Sequence, residues 1–506
     1  MYIPRHIRQT YYHTGKEIMI FSKAPVARSI EMQFSIGGGF DIPTASFIEA
    51  VDGEMAMLSG KNLVNSIMGP ENAFKTGVIN FIEGKVLNNY PGNVLIIFDT
   101  EGSFTYVRIN RFIKQTYPRY GRLINDLNTD LIQMVKQDEL AGDKFFEMMK
   151  EVAAERFKDK GGFKTTAYVD TDGSLFKTKP AIGVLIDSFT EMKFDVLAVK
   201  MTDKNEVGSS ETLTVPMQAA KIKSEMITQY PKICRSGSIY ISQVAHMDTK
   251  VEINMYAPKP HKLAFSKSGT VAKGVTGKFK FINNNLYEIQ GYAPLYKGTG
   301  KADRVAMYPL NDSDKEAGTV DLMVVHLTQT RNKTGPSGPV ISLVISQSAG
   351  VLEALTDFYN VKVIRGNYGI GGNNLSYWLE LCPDVKLSRT TVRTKLDESY
   401  RLRRGVEIMH SMAQYQAYHN ITNEAYLVKP DELYASLIEK GYDWNVLLDT
   451  VNFHTYEENK LEFRKSLSLL DLLRLHSGEN DKAWYEAWLG RYHAQIAAGG
   501  VTCYPK

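Results

Sequence analysis
Three short apolar runs limit what this chain can fold into more than any other feature. They are NVLIIFD (Asn93 to Asp99), AIGVLID (Ala181 to Asp187) and SIYISQ (Ser238 to Gln243), each unbroken rather than alternating. Unbroken runs suit strands covered on both faces, the pattern of a parallel sheet. A weaker run, FKFINNNLYEI (Phe279 to Ile289), is read as a further strand. Helical or loop material separates the runs, so the expected fold class is α/β with a mainly parallel central sheet. After them, TVDLMVVHLTQT and PVISLVISQ flank RNKTGPSG and read as a hairpin whose tip carries Arg331 and Lys333.

The chain has 506 residues, 43% of them apolar, which is ample for such a core and excludes a disordered or low-complexity polymer. Gly37-Gly38-Gly39 followed by FDIPTASF reads as a boundary, leaving residues 1–50 as an N-terminal segment and candidate subunit-assembly arm. Residues 51–350 form the expected core. From about residue 385 the pattern turns helical, with segments that start near Asp, Asn or Ser, so 351–506 is expected to be a mainly helical C-terminal domain. Cys234, Cys382 and Cys503 are far apart with no CxxC spacing, which fits a reducing compartment and gives no support to zinc. No run approaches the roughly 18 apolar residues of a membrane span. The expected location is the cytoplasm, with no membrane partner.

Gly69-Pro70-Glu71-Asn72-Ala73-Phe74-Lys75-Thr76 follows an apolar segment and precedes GVINFIEGKVLNN, a plausible helix. Phosphate binding needs convergent backbone N–H groups at a helix N-terminus, a lysine for the β- and γ-phosphate charge, and a hydroxyl for magnesium. Lys75 and Thr76 supply the last two. The spacing is that of G-x-x-x-x-G-K-T, except that Phe74 stands where the second glycine belongs. The bland alternative is a Pro-containing turn with a solvated lysine. Context favours phosphate: Asp99-Thr100-Glu101 closes one strand run, Asp187 another and Gln243 a third, at the strand ends where open α/β sheets place their chemistry. A carboxylate there can orient a water attacking a γ-phosphate, and a strand-end Asp can hold a magnesium-bound water.

This ordered set resembles the RecA-type recombinase family, particularly the UvsX-like branch of tailed phages, in which Phe likewise precedes the phosphate-loop lysine. IFDTEGSFTYVR is similar to that family's catalytic-glutamate segment, and IYISQVAHMD to the segment leading from its sensor glutamine into a DNA-binding loop. The resemblance covers residues 50–350 or so. It implies a RecA-like ATPase core that binds ATP and Mg2+ through Gly69 to Thr76, with Thr76 and Asp187 on the metal and Tyr106 stacked near adenine. Glu101 would polarise the attacking water and Gln243 would couple the γ-phosphate to DNA. Arg331 and Lys333 fall where the family's cations reach a neighbouring subunit's ATP; an exposed hairpin tip made soluble by charge explains them equally well. Two features depart from the family: a longer segment between Glu101 and Asp187, and a helical C-terminal region without a counterpart.

Net charge is only +4, from 60 basic and 56 acidic residues, so a polyanionic partner must be met locally. Residues 246–280 hold seven lysines against Asp248 and Glu252, with Tyr256, Phe265 and Phe279 interspersed. Lys250, Lys259, Lys262, Lys267, Lys273 and Lys278 are the candidate contacts to single-stranded DNA, through phosphates with aromatic stacking beside them. Lys200, Lys204, Lys221 and Lys223 lie where the family has its other DNA loop. Trp484 and Trp488 fit helix packing, and Arg401, Arg403 and Arg404 a solvated face. The resemblance implies a DNA-dependent ATPase that assembles head to tail on single-stranded DNA and promotes strand exchange, in a host cell's cytoplasm if phage-encoded. Two alternatives stay open: a hexameric helicase or translocase of the DnaB class, and a non-catalytic interaction protein on a degenerate core.

Overall fold
Among the described residues, nine strands follow one another across the main sheet: β1 (Val64–Gly69), β2 (Val94–Asp99), β3 (Ile132–Lys136), β4 (Ile182–Asp187), β5 (Ile239–Thr249), β6 (Asn285–Pro294), β7 (Leu322–Asn332), β8 (Val340–Ser346) and β9 (Gly350–Val351). Their spatial order is β9-β8-β7-β6-β1-β5-β4-β2-β3, and the short strand Thr270–Ala272 pairs onto β5. From β6 to β3 all neighbours are parallel, and β7, β8 and β9 add an antiparallel end. The chain is therefore α/β with a large, mainly parallel mixed sheet. The computed structural model describes residues 33–41, 47–50, 53, 55–57, 60–89, 92–105, 107–109, 131–159, 161–169, 174–197, 210–249, 263–267, 269–298, 305–311, 314, 321–418, 424–448 and 467–497. Tyr106, Lys200, Lys204, Lys250, Lys259, Lys262 and Cys503 lie outside the described residues, as do residues 1–32.

Period-two alternation within the runs sorts side chains into two layers. Ile67, Leu95, Ile97, Leu185 and Val244 pack with α1 (Lys75–Asn89) through Val78, Ile79 and Ile82. Met68, Phe98, Val184, Ile186, Ile241 and Ala245 face the other way, onto α2 (Gly142–Lys158) and α3 (Ser210–Gly237). Phe145, Phe146, Met149 and Ala153 give α2 its buried stripe at helical spacing. The long segment between Glu101 and Asp187 is taken up in part by β3, α2 and a separate hairpin, Lys164–Val169 with Leu175–Thr178.

Two expectations change. FKFINNNLYEI is not one strand: Lys278–Ile282 is a helical turn and β6 begins at Asn285. A short apolar run fits either state by pattern alone, and here Phe279 turns into the core, fully buried and stacked on Phe189. The Ser238–Gln243 strand does not end at Gln243 but continues to Thr249, because Met247, Asp248 and Thr249 pair with Ala272, Val271 and Thr270.

A third cluster joins the antiparallel end of the sheet to the C-terminal helices. Val324 and Val344 meet Phe358, Val406, Met409, Leu433, Leu472 and the fully buried Trp488 in it. A small antiparallel sheet, Ile370–Gly372, Tyr377–Leu379 and Cys382–Leu387, lies among these helices. The buried Lys85 of α1 holds both carboxylate oxygens of Glu353 at 2.7 Å and links this region to the sheet. Among the described residues, no helix is long and apolar enough to cross a membrane.

Candidate active site
The parallel strands end along one edge of the sheet, and the loops that follow β1, β2 and β4 build a cavity of about 600 Å³ there. Lys75, Thr76, Glu101 and Asp187 all line it, although they are spread over more than a hundred positions of sequence. Gly69 closes β1 against β6, where an added Cβ would lie 3.0 Å from Ile289. Asn72 and Phe74 then take left-handed backbone angles, φ 56° and 62°. Phe74 thus adopts the conformation for which the phosphate-loop pattern ordinarily uses glycine. Its ring is accommodated beside Tyr292, edge to face at 6.4 Å.

Lys75 opens α1, and its Nζ donates to Pro70 O at 2.5 Å, folding the loop over itself. Burial holds its ammonium below the ordinary lysine range, opposed by the charges of Asp187, Glu101 and Glu71. Thr76 Oγ1 donates to Asp187 Oδ2 at 2.6 Å. Asp187 is almost wholly buried, and burial pushes its carboxyl up to about 6 against that hydrogen bond, with Glu101 and Asp99 adding to the rise and Lys75 opposing it. A buried carboxylate beside a hydroxyl is the oxygen donor set that suits Mg2+, which takes one or two protein ligands and fills its shell with phosphate and water. Among the described residues, no group of three or more His, Cys, Asp or Glu forms a protein-only metal cage.

Thr100 fixes the two acidic strand ends relative to each other. Its hydroxyl accepts from Ser188 N at 2.7 Å and donates to Ser188 O at 2.8 Å, and its own N–H donates to Asp187 O. Asp99 is a loop organiser: it is buried and accepts from the backbone N–H groups of Glu101, Ser103 and Phe104. Glu101 instead reaches the cavity, partly exposed, with Oε1 2.8 Å from His246 Nε2. Burial pushes its carboxyl up, but hydrogen bonds from His246 and Ser188 and the charges of His246 and Lys75 outweigh this and leave it below its ordinary value.

The remaining expected residues divide by position. Gly69 and Pro70 shape the loop, Glu71, Asn72 and Ala73 line the cavity, and all belong with the residues above. Gln243 is fully buried in mid-strand, level with Ser66, and its Oε1 accepts from Tyr230 Oη at 3.4 Å. It does not line the cavity; His246, level with Gly69, does. Arg331 and Lys333 sit at the opposite, amino edge of the sheet. There Arg331 Nε donates to Asn283 O at 3.0 Å and Lys333 Nζ to Ile282 O at 3.1 Å. Lys267, Lys273 and Lys278 are exposed, whereas Lys280 is buried against Glu288 and Ser266. Lys223 is buried too, with its Nζ on Thr190 O. His246, Arg108 and the wall made by Ser346, Gln347 and Gly350 were missed by sequence reasoning; the first two stand inside the quoted motifs, and nothing local marks the third.

In comparisons with known proteins, the chain matches no family model and no curated protein.

Proposed function
We propose that this protein is an ATP-dependent DNA strand-exchange protein of the RecA type, which hydrolyses ATP when bound to single-stranded DNA. The observation that carries the reading is the convergence of Lys75, Thr76, Asp187 and Glu101 on one cavity at the carboxyl edge of a parallel sheet. Lys75 and the N–H groups at the start of α1 bind the triphosphate. Thr76 and Asp187 would hold Mg2+, which would supply positive charge to the bound triphosphate. Glu101, kept ionised by its hydrogen bonds, orients the attacking water and accepts its proton.

Two further features support DNA as the activator and a head-to-tail assembly. β5 passes from the cavity into the ribbon formed with Thr270–Ala272, and this ribbon closes the lysine-rich segment that would track a phosphate backbone. Arg331 and Lys333, at the amino edge, are too far round the sheet to serve their own chain's cavity. A repeated contact of amino edge on carboxyl edge would bring them to the next subunit's phosphates, and such a heterologous contact builds filaments or rings. The test is steady-state ATP hydrolysis with and without single-stranded DNA, for the wild type and Lys75→Ala, together with negative-stain images in a non-hydrolysable ATP analogue. DNA-stimulated hydrolysis lost in Lys75→Ala, with open filaments, is expected. Closed rings that unwind duplex would select the helicase, and absence of ATP binding the non-catalytic reading.

A further inference from the structure
Among the described residues, His246 joins Glu101 to the DNA-side ribbon. His246 Nε2 lies 2.8 Å from Glu101 Oε1, and since a carboxylate only accepts, the bond puts the imidazole proton on Nε2. Among the described residues, His246 Nδ1 is buried without a hydrogen-bond partner, and the ring is held through Nε2. The backbone of His246 is fixed on both sides: its N–H donates to Thr190 Oγ1 at 2.9 Å, and its C=O accepts from Lys273 N at 2.9 Å. The next three residues form the ribbon with Thr270–Ala272. Lys273, at the ribbon's base, also sets its Nζ 4.0 Å from Glu71 of the phosphate loop. Gln243, by contrast, is sealed in the sheet with no reach to the cavity.

We infer that His246 is a positioning residue through which DNA bound at the ribbon sets the placement of the Glu101 carboxylate. This deepens the recombinase reading and rests on it. A shift of the ribbon pulls on His246 through Lys273 N and re-aims the carboxylate oxygen that His246 holds. Misplacing a catalytic group by about 1 Å can cost on the order of 100-fold in rate, so a small ribbon movement is enough to gate hydrolysis.

The test uses the full chain and oligodeoxythymidylate, with ATP turnover measured with and without the oligonucleotide and binding followed separately by fluorescence anisotropy. In His246→Ala the stimulated kcat is expected to fall about 10- to 100-fold, to the DNA-free rate, while KM for ATP and affinity for the oligonucleotide stay within about 3-fold. His246→Gln, whose amide nitrogen can donate from nearly the same place, is expected to restore most of the stimulation. Wild-type stimulation in His246→Ala overturns the inference, and so does a loss of oligonucleotide binding in step with the loss of rate. A wild-type protein that ignores DNA refutes the recombinase reading itself, and the role of His246 falls with it.

Discussion
Phe74 offers the sharpest test of how the phosphate loop is built, because its backbone and its ring pull stability in opposite directions. At φ 62° an L-residue carries a cost of about 1–2 kcal/mol that glycine does not. Its half-buried ring packs against the cluster under α1 and edge-on to Tyr292, a contribution of about 1–2 kcal/mol for partial burial. Phe74→Ala keeps the backbone cost and loses the ring, so it is expected to destabilise by about 1–2 kcal/mol. Phe74→Gly loses the ring as well, but it sheds the left-handed cost and adds only about 0.5–1 kcal/mol of chain freedom. Glycine should therefore exceed alanine by about 1 kcal/mol, the reverse of their order in a helix interior. Scanning calorimetry of the nucleotide-free protein should place the thermal midpoint of the glycine variant about 1–2 °C above that of the alanine variant. Alanine equal to or above glycine would show that the left-handed loop is not the conformation in solution, and the argument that Phe74 imitates a glycine would fail with it.

Thr76→Val removes the hydroxyl that Asp187 accepts at 2.6 Å; nucleotide affinity by calorimetric titration should weaken about 10-fold with Mg2+ and stay unchanged in EDTA. Glu353→Gln removes the buried carboxylate that Lys85 Nζ holds at 2.7 Å and should cost about 3–5 kcal/mol in urea unfolding, most of it recovered in the double variant Lys85→Met/Glu353→Leu. Burial raises Asp187 and Asp357 to about 6 and Asp471 to about 7. Each is raised above its unfolded value, so the stability it lends is fully present below about pH 4 and is lost as pH rises through 6 to 7. Between pH 5 and 7, unfolding midpoints should fall with rising pH, and Asp471→Asn should remove about 2 kcal/mol of that fall; an unchanged slope refutes the assignment.

What the sequence made legible was local. An unbroken apolar run that ends in Asp states both that a strand is buried and which residue leaves it at the carboxyl edge, so Asp187 could be named from its run alone, whereas the choice of Glu101 over Asp99 within Asp99-Thr100-Glu101 came from the family resemblance. The turn and helix start that place Lys75 and Thr76 were equally local. Less legible was whatever depended on a distant partner. β5 runs past Gln243 because β1, more than a hundred positions away, carries its ladder to His246 beside Gly69, and Thr270–Ala272 then extends it to Thr249; the cavity-facing position is therefore His246 and not Gln243. Residues Ser346 to Gly350 complete the cavity only because β6 and β7 carry the chain back beside β1.

The backbone sign of Phe74 was hidden for a different reason: a residue letter does not report φ, and only the fold's demand on the loop forces a left-handed turn there. That same demand explains why the missing glycine is compatible with a complete site. The pattern G-x-x-x-x-G-K-T uses glycine for a conformation, and wherever the surrounding packing meets the cost, as the cluster under α1 and Tyr292 do for Phe74, the conformation survives the change of letter.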